Sequence, residues 1–191
     1  VFDFDISLCA KFQVEHARLA FTCLNELCSM RLIPEKFNEF VRGMNRTEWP
    51  GRFQITKREA DSLKTVVLDG AHNIASFKVV FDTMDKLYSD RKIHLVFAAS
   101  FNKDSKSMLE YASPKVSSII LTRFKNPRSL SPEQLRDKLT NKAKIRKLFS
   151  DSGEAVDYAY NSAEKNDVVL ISGSFFLVGE ALDALGVEHE L

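Results

Sequence analysis

The chain has 191 residues, enough for one domain with a substantial core, or for one domain and part of another. Its 45% hydrophobic and 28% charged content describes a globular protein, and 27 Lys+Arg against 26 Asp+Glu leave a formal charge of +1. That balance argues against a nucleic-acid partner, and no apolar run approaches the roughly 18 residues a membrane-spanning helix needs.

The three cysteines, Cys9, Cys23 and Cys28, form neither a CxxC pair nor a cluster with histidine, so no disulfide framework and no zinc or other metal site is expected. A reducing, cytoplasmic setting is the expectation. The chain opens at Val1 without an initiator methionine, and its first patterned segment is helical with no strands before it, so a fragment of a longer protein is expected.

Val14, Ala17, Phe21, Leu24 and Cys28 recur at helical spacing, which predicts an amphipathic helix over 13–30. Pro34 suits the first turn of a second helix carrying Phe37, Phe40, Val41 and Met44. Two helices close no core, and they read as the tail of a preceding domain. Trp49, Pro50 and Gly51 punctuate the chain, which divides the sequence into segments 1–50 and 51–191. Arg52 follows the turn, at a join between domains where ligand clefts are common.

Beyond Phe53 the pattern alternates strand and helix. Residues 65–68 are short, apolar and β-branched; they stop at Asp69 and turn on Gly70, and Phe77, Val80, Phe81 and Met84 then take up helical spacing. Further strands are predicted over 93–98, 117–121 and 168–171. Ser131-Pro132-Glu133-Gln134 is a capping box with proline at the first helical position, and helices are also expected over 154–165 and over 176–185, the last stopping at Gly186. The fold class is therefore α/β: a Rossmann-like, mostly parallel sheet flanked by helices, preceded by a helical tail.

In such sheets ligands bind beyond the carboxyl ends of the strands. The predicted ends carry Asp69, His72 and Asn73; Asn102, Lys103 and Asp104; Asn126, Pro127, Arg128 and Ser129; and Gly173 with Ser174. Each turn alone reads equally as a solvated loop, Asp-Gly as turn chemistry and Asn73 as a helix cap. As a set they suit an anionic small molecule, with Gly173-Ser174 offering helix-terminal N–H groups and a hydroxyl. No P-loop and no GxGxxG pattern is present, and no nucleophilic triad has recognisable spacing.

Trp49-Pro50-Gly51-Arg52-Phe53, Leu68-Asp69-Gly70-Ala71-His72-Asn73, Asn102-Lys103-Asp104, Pro127-Arg128-Ser129 and Gly173-Ser174-Phe175, in this order, resemble the carboxyl-terminal part of the folylpolyglutamate and dihydrofolate synthases of the Mur ligase superfamily. The resemblance spans nearly the whole chain. It implies an ATP-dependent amide ligase that activates a folate carboxylate as an acyl phosphate, which the amino group of L-glutamate attacks. By motif position, Arg52 would hold ATP phosphates, and Asp69 would lie near the nucleotide ribose. His72 would be catalytic, between nucleotide and incoming glutamate, and Ser174 would belong to the glutamate pocket. Residues 1–50 would close the central ATP-binding domain and 51–191 would form the glutamate-ligase domain. A monomer binding folate or dihydropteroate is implied.

The family's His-Gln-x-x-Asn-Ala segment reads Phe12-Gln13-Val14-Glu15-His16-Ala17 here, which leaves His16 facing the adenine in place of asparagine. The resemblance also puts the P-loop, the magnesium ligands and the catalytic lysine in a segment preceding Val1, so the fragment alone is expected to be inactive. Two alternatives remain at this point: a ligase for another substrate of the superfamily, and an α/β binding module without catalysis.

Overall fold

The computed structural model describes residues 6, 8, 10–58 and 61–187, the side chains of 57, 58 and 61–63 excepted. Cys9 lies outside the described residues, and Cys23 and Cys28 are free thiols. The chain divides into two compact units, 1–50 and 51–191.

The first unit holds α1 (Lys11–Ser29) and α2 (Phe37–Arg46). Of the predicted apolar face of α1 only Phe21 is buried, against the Phe37 ring at 5.4 Å, while Val14 is 40% exposed. The second helix does not begin at Pro34. The Pro34 carbonyl instead accepts from Cys28 Sγ at 3.6 Å, and helical geometry starts only after Lys36.

The second unit is built on six strands: β1 (Gln54–Arg58), β2 (Asp61–Asp69), β3 (Ile93–Phe97), β4 (Ser118–Leu121), β5 (Ile145–Leu148) and β6 (Val168–Ser172). Their order is β1-β2-β6-β3-β4-β5, all parallel except β1, which pairs antiparallel with β2. The α/β, mostly parallel architecture read from the sequence is thus present, with two strands the sequence did not announce. Both are edge strands. Arg146 and Lys147 of β5 are exposed, so its residues lack the apolar run that marks a strand buried on both faces.

Five helices cover the sheet: α3 (Ile74–Leu87), α4 (Ser105–Ala112), α5 (Pro132–Lys138), α6 (Ser152–Ser162) and α7 (Phe175–Leu185). Val66, Leu68, Val96, Ala98, Ile120, Val169 and Ile171 face α6 and α7 in one cluster. On the other face Phe77 of α3 meets Phe97 of β3 edge-on, ring centroids 5.8 Å apart, and α4 and α5 pack beside α3 in succession. The capping box at α5 forms as its spacing requires: Ser131 Oγ accepts from Gln134 N at 3.2 Å, and Gln134 Oε1 accepts from Ser131 N at 2.8 Å. Asp151 caps α6 two residues ahead of the predicted start, and Gly186 ends α7 at a φ of 70°. Among the described residues no helix is long and apolar enough to cross a membrane.

At the amino ends of three neighbouring strands a buried polar lock ties the sheet together. His94 Nε2 donates to Asp167 Oδ2 at 2.9 Å, His94 Nδ1 lies 2.8 Å from Ser118 Oγ, and Asp167 Oδ2 also accepts from Glu164 N at 2.8 Å. Burial pushes the Asp167 carboxyl up, but the hydrogen bonds from His94 and the Glu164 N–H outweigh it and hold the group below its ordinary value. A depressed folded-state value contributes stability that is present above the unfolded pKa, about 3.9, and lost as pH falls through the folded value. Thermal melts of Asp167→Asn should therefore show lower stability at neutral pH and a shallower loss below about pH 4 than the wild-type chain. An acid limb as steep as wild type would count against the lock.

Candidate active site

The strand-end turns lie along one edge of the sheet in the order β2, β6, β3, β4. At the β2 end of this row is Asp69, the last residue of its strand, 3% exposed. Its Oδ2 accepts from Phe53 N at 2.8 Å and its Oδ1 from Ala71 N at 2.7 Å. Gly70 N donates to Gly51 O at 2.8 Å, which makes a second tie between the same two turns. One carboxylate thus fastens the Gly51-Arg52-Phe53 turn to the loop that carries His72. Burial raises the Asp69 carboxyl, opposed by the two backbone N–H groups and by the nearby charges of Arg52 and His72. Phe53 sits at a φ of 45°, rare for an aromatic residue; its buried ring and its bond to Asp69 hold it there.

Half-buried His72 donates from Nδ1 to the Gly70 carbonyl at 2.9 Å, which leaves Nε2 as the ring nitrogen not engaged by that carbonyl. Asn73 caps α3 through Oδ1, accepting from Ser76 N at 2.9 Å, so its side chain is engaged in the helix start. Ser174 caps α7 and is buried; its Oγ accepts from Phe176 N at 3.2 Å. Register pairs Asp69 with Ser172, and Gly173 follows at a φ of 116°, where a Cβ would strike the Ala98 carbonyl and the Phe97 ring. Only glycine fits that crossing.

The turns after β3 and β4 are largely occupied with each other and with their own helices. Phe101 N donates to Arg128 O at 2.9 Å, Leu130 N donates to Ala99 O at 2.9 Å, and Ser100 bridges Ser129. Asp104 Oδ1 caps α4 by accepting from Ser107 N, and Asn126 Oδ1 accepts from Arg128 N. Lys103 and Arg128 show no contact that assigns them a task. A cleft of about 240 Å³, lined by Arg123, Lys125, Asp151 and Glu180 among others, contains none of the motif residues.

His16 belongs to the first unit and is exposed, with Nδ1 2.9 Å from Oε1 of buried Gln13. Sequence reading gave His16 a role and none to Gln13, which with Phe21 is one of the two buried residues of α1. Phe175 was also passed over. The Arg52 guanidinium lies 4.6 Å from its ring centroid, and the His72 ring lies 6.0 Å from it. Among the described residues no group of three or more His, Cys, Asp or Glu could hold a metal ion.

A family profile described as Mur ligase, glutamate ligase domain, matches residues 51–175. The chain belongs to the Mur ligase family. A Haloferax volcanii protein named as a probable bifunctional folylpolyglutamate synthase/dihydropteroate synthase is 35% identical over 147 residues, covering 73% of this chain and 16% of that protein. The solved folylpolyglutamate synthase of Mycobacterium tuberculosis, complexed with ADP and AMPPCP, superposes at a TM-score of 0.81 with 21% identity, over 98% of this chain and 43% of that one; at this identity it speaks for the fold. The bifunctional folylpolyglutamate synthase/dihydrofolate synthase of Yersinia pestis, complexed with AMPPNP and Mn ion, gives 0.69 with 27% identity, over 81% of this chain and 35% of that one. The chain therefore spans less than half the length of each of these relatives. The likeness to folylpolyglutamate and dihydrofolate synthases read from the motifs holds.

Asparagine at position 69 of this Mur ligase domain would keep one acceptor but aim an NH2 group at the second backbone donor. Asp69→Asn should cost about 1–3 kcal/mol of unfolding free energy, the scale of a buried group left unsatisfied. Chemical denaturation measures it, and an unchanged midpoint would show that the clamp does not hold the turns.

Proposed function

We propose that this chain is the carboxyl-terminal part of an ATP-dependent ligase that adds L-glutamate to folate, with dihydropteroate as a second acceptor substrate. The observation that carries this reading is the Asp69 clamp, which holds the cationic Arg52 turn against the His72 loop inside the segment the family profile matches. On this reading residues 1–50 close the central ATP-binding domain and 51–191 form the glutamate-ligase domain. The exposed apolar residues of the first unit, Leu19, Met30 and Leu32, suit a chain that continues an ATPase domain. The protein acts as a cytoplasmic monomer.

ATP, when bound, would supply the phosphoryl group that turns the folate carboxylate into an acyl phosphate. Arg52 offers the planar, permanently charged fork that phosphate oxygens require. His16 would offer Nε2 to the adenine, its Nδ1 being engaged by Gln13. Asp69 lies near the ribose, and its main task is to fix the two turns, since both of its oxygens already accept backbone N–H groups. His72 accepts a hydrogen bond from the amino group of glutamate through Nε2, which keeps the nitrogen lone pair unprotonated for attack on the acyl carbonyl. Ser174 with the first turn of α7 faces the glutamate carboxylates. Magnesium would accompany ATP, but among the described residues no donor set fits it; its holders, the P-loop and the catalytic lysine would belong to the ATP-binding domain that residues 1–50 would close.

Assayed in the full-length protein, His72→Ala should lower glutamate ligation by about 10²-fold, the scale of a positioned acid–base group, with thermal stability unchanged. Arg52→Ala should raise the KM for ATP by more than it lowers kcat, through loss of a charge-assisted phosphate contact. Comparing tetrahydrofolate, dihydropteroate and muramyl substrates separates the branches of the superfamily, and turnover on the muramyl substrate alone would overturn the folate assignment.

A further inference from the structure

We infer that Phe175, the first residue of α7, is a positioning residue that sets the side chain of Arg52 and braces the His72 loop. The inference rests on the reading of Arg52 as a phosphate-binding group. Phe175 is 38% exposed, so burial in the core does not account for its place. Its ring lies over the backbone of Gly70, where a Cβ would collide with three ring carbons. The Arg52 guanidinium stands 4.6 Å from the ring centroid and the tilted His72 imidazole 6.0 Å from it. The ring therefore touches both named site groups and the peptide between Asp69 and Ala71.

An arginine on a turn has several rotamers, and each one frozen on binding costs affinity. The Phe175 ring beside the guanidinium, with the attraction between Arg52 and Asp69, narrows that choice before any ligand arrives. The ring covers one side of the guanidinium, whose planar fork is the donor set that phosphate oxygens require. Gly51 lies under the same helix, where a Cβ would strike Val178, so the first turn of α7 rests on both glycines and carries the ring to its place.

The test uses the full-length protein and AMPPNP as probe, with affinities from calorimetry. Phe175→Leu, which keeps bulk and removes the π face, should weaken AMPPNP about tenfold, equivalent to about 1.4 kcal/mol. Phe175→Tyr should stay within about twofold of wild type, because it keeps the face. Gly70→Ala, whose methyl group takes the ring's place, should weaken binding in the same direction as Phe175→Leu. In an Arg52→Ala background, Phe175→Leu should cause no further loss. The Arg52 Nε–H resonance, held upfield by the ring, should move downfield in Phe175→Leu. Wild-type affinity in Phe175→Leu alongside a weakened Arg52→Ala, additive losses in the double variant, or an unmoved resonance overturns the inference alone. Wild-type affinity in Arg52→Ala removes the phosphate role and brings down both readings.

Discussion

The Asp69 carboxylate is the constraint on which the rest of the site depends. A charged group this deep is costly unless every lone pair it presents is used, and here both oxygens take backbone donors from different turns. The bond to Phe53 also fixes a left-handed aromatic residue that would otherwise relax, and with it the direction in which Arg52 leaves the chain. The same acid thus does the work of a covalent link between segments 16 positions apart. Burial raises its carboxyl, while the donors and Arg52 keep the ionised form accessible, so the clamp and the positive charge beside it sustain one another.

Around that clamp the edge of the sheet divides its labour. The turns after β3 and β4 spend most of their backbone and side-chain polarity on each other, which makes them a rigid border. The ends of β2 and β6 carry the groups suited to chemistry: an imidazole tied to the Gly70 carbonyl, a guanidinium against an aromatic ring and a buried helix-capping hydroxyl. At the opposite end of the same strands, the Ser118-His94-Asp167 lock closes the sheet with buried hydrogen bonds. Buried polar groups of this kind are costly to leave unpaired, and here each member has a partner.

Much of this was legible because apolar periodicity and capping chemistry are local. Residues 66–68, 93–98, 118–121 and 168–171 are buried on both faces and so carry the apolar runs that read as strands, and the Ser131-Gln134 box and Gly186 announced their helix ends. The sequence did not disclose β1 or β5: Gln54, Ile55 and Thr56 of the first and all four residues of the second are half-buried or exposed, so neither shows a buried apolar run. It suggested turn chemistry as the reason for Gly70, whereas the structure gives a distant one, the ring of Phe175 more than a hundred residues on. Asp69 read as a ligand-facing acid because its two backbone partners cannot be seen from residue type. Pro34 failed as a helix start because a thiol six positions earlier holds its carbonyl.

The strand order carries a consequence for how the domain is made. β6 is the last strand in sequence, yet it lies between β2 and β3, with Asp69 paired to Ser172 on one side and Phe97 to Ser172 on the other. Until it inserts, the sheet exists only as two separate halves with open inner edges. Emerging chains add residues from the amino end, so nearly the whole sequence must leave the ribosome before the sheet can zip shut. Contacts of such long sequence separation form slowly, and the interval leaves two apolar strand edges exposed to mispairing. The same strand that joins the two halves also carries Ser172, Gly173 and Ser174 to the edge where the β2 and β3 turns lie.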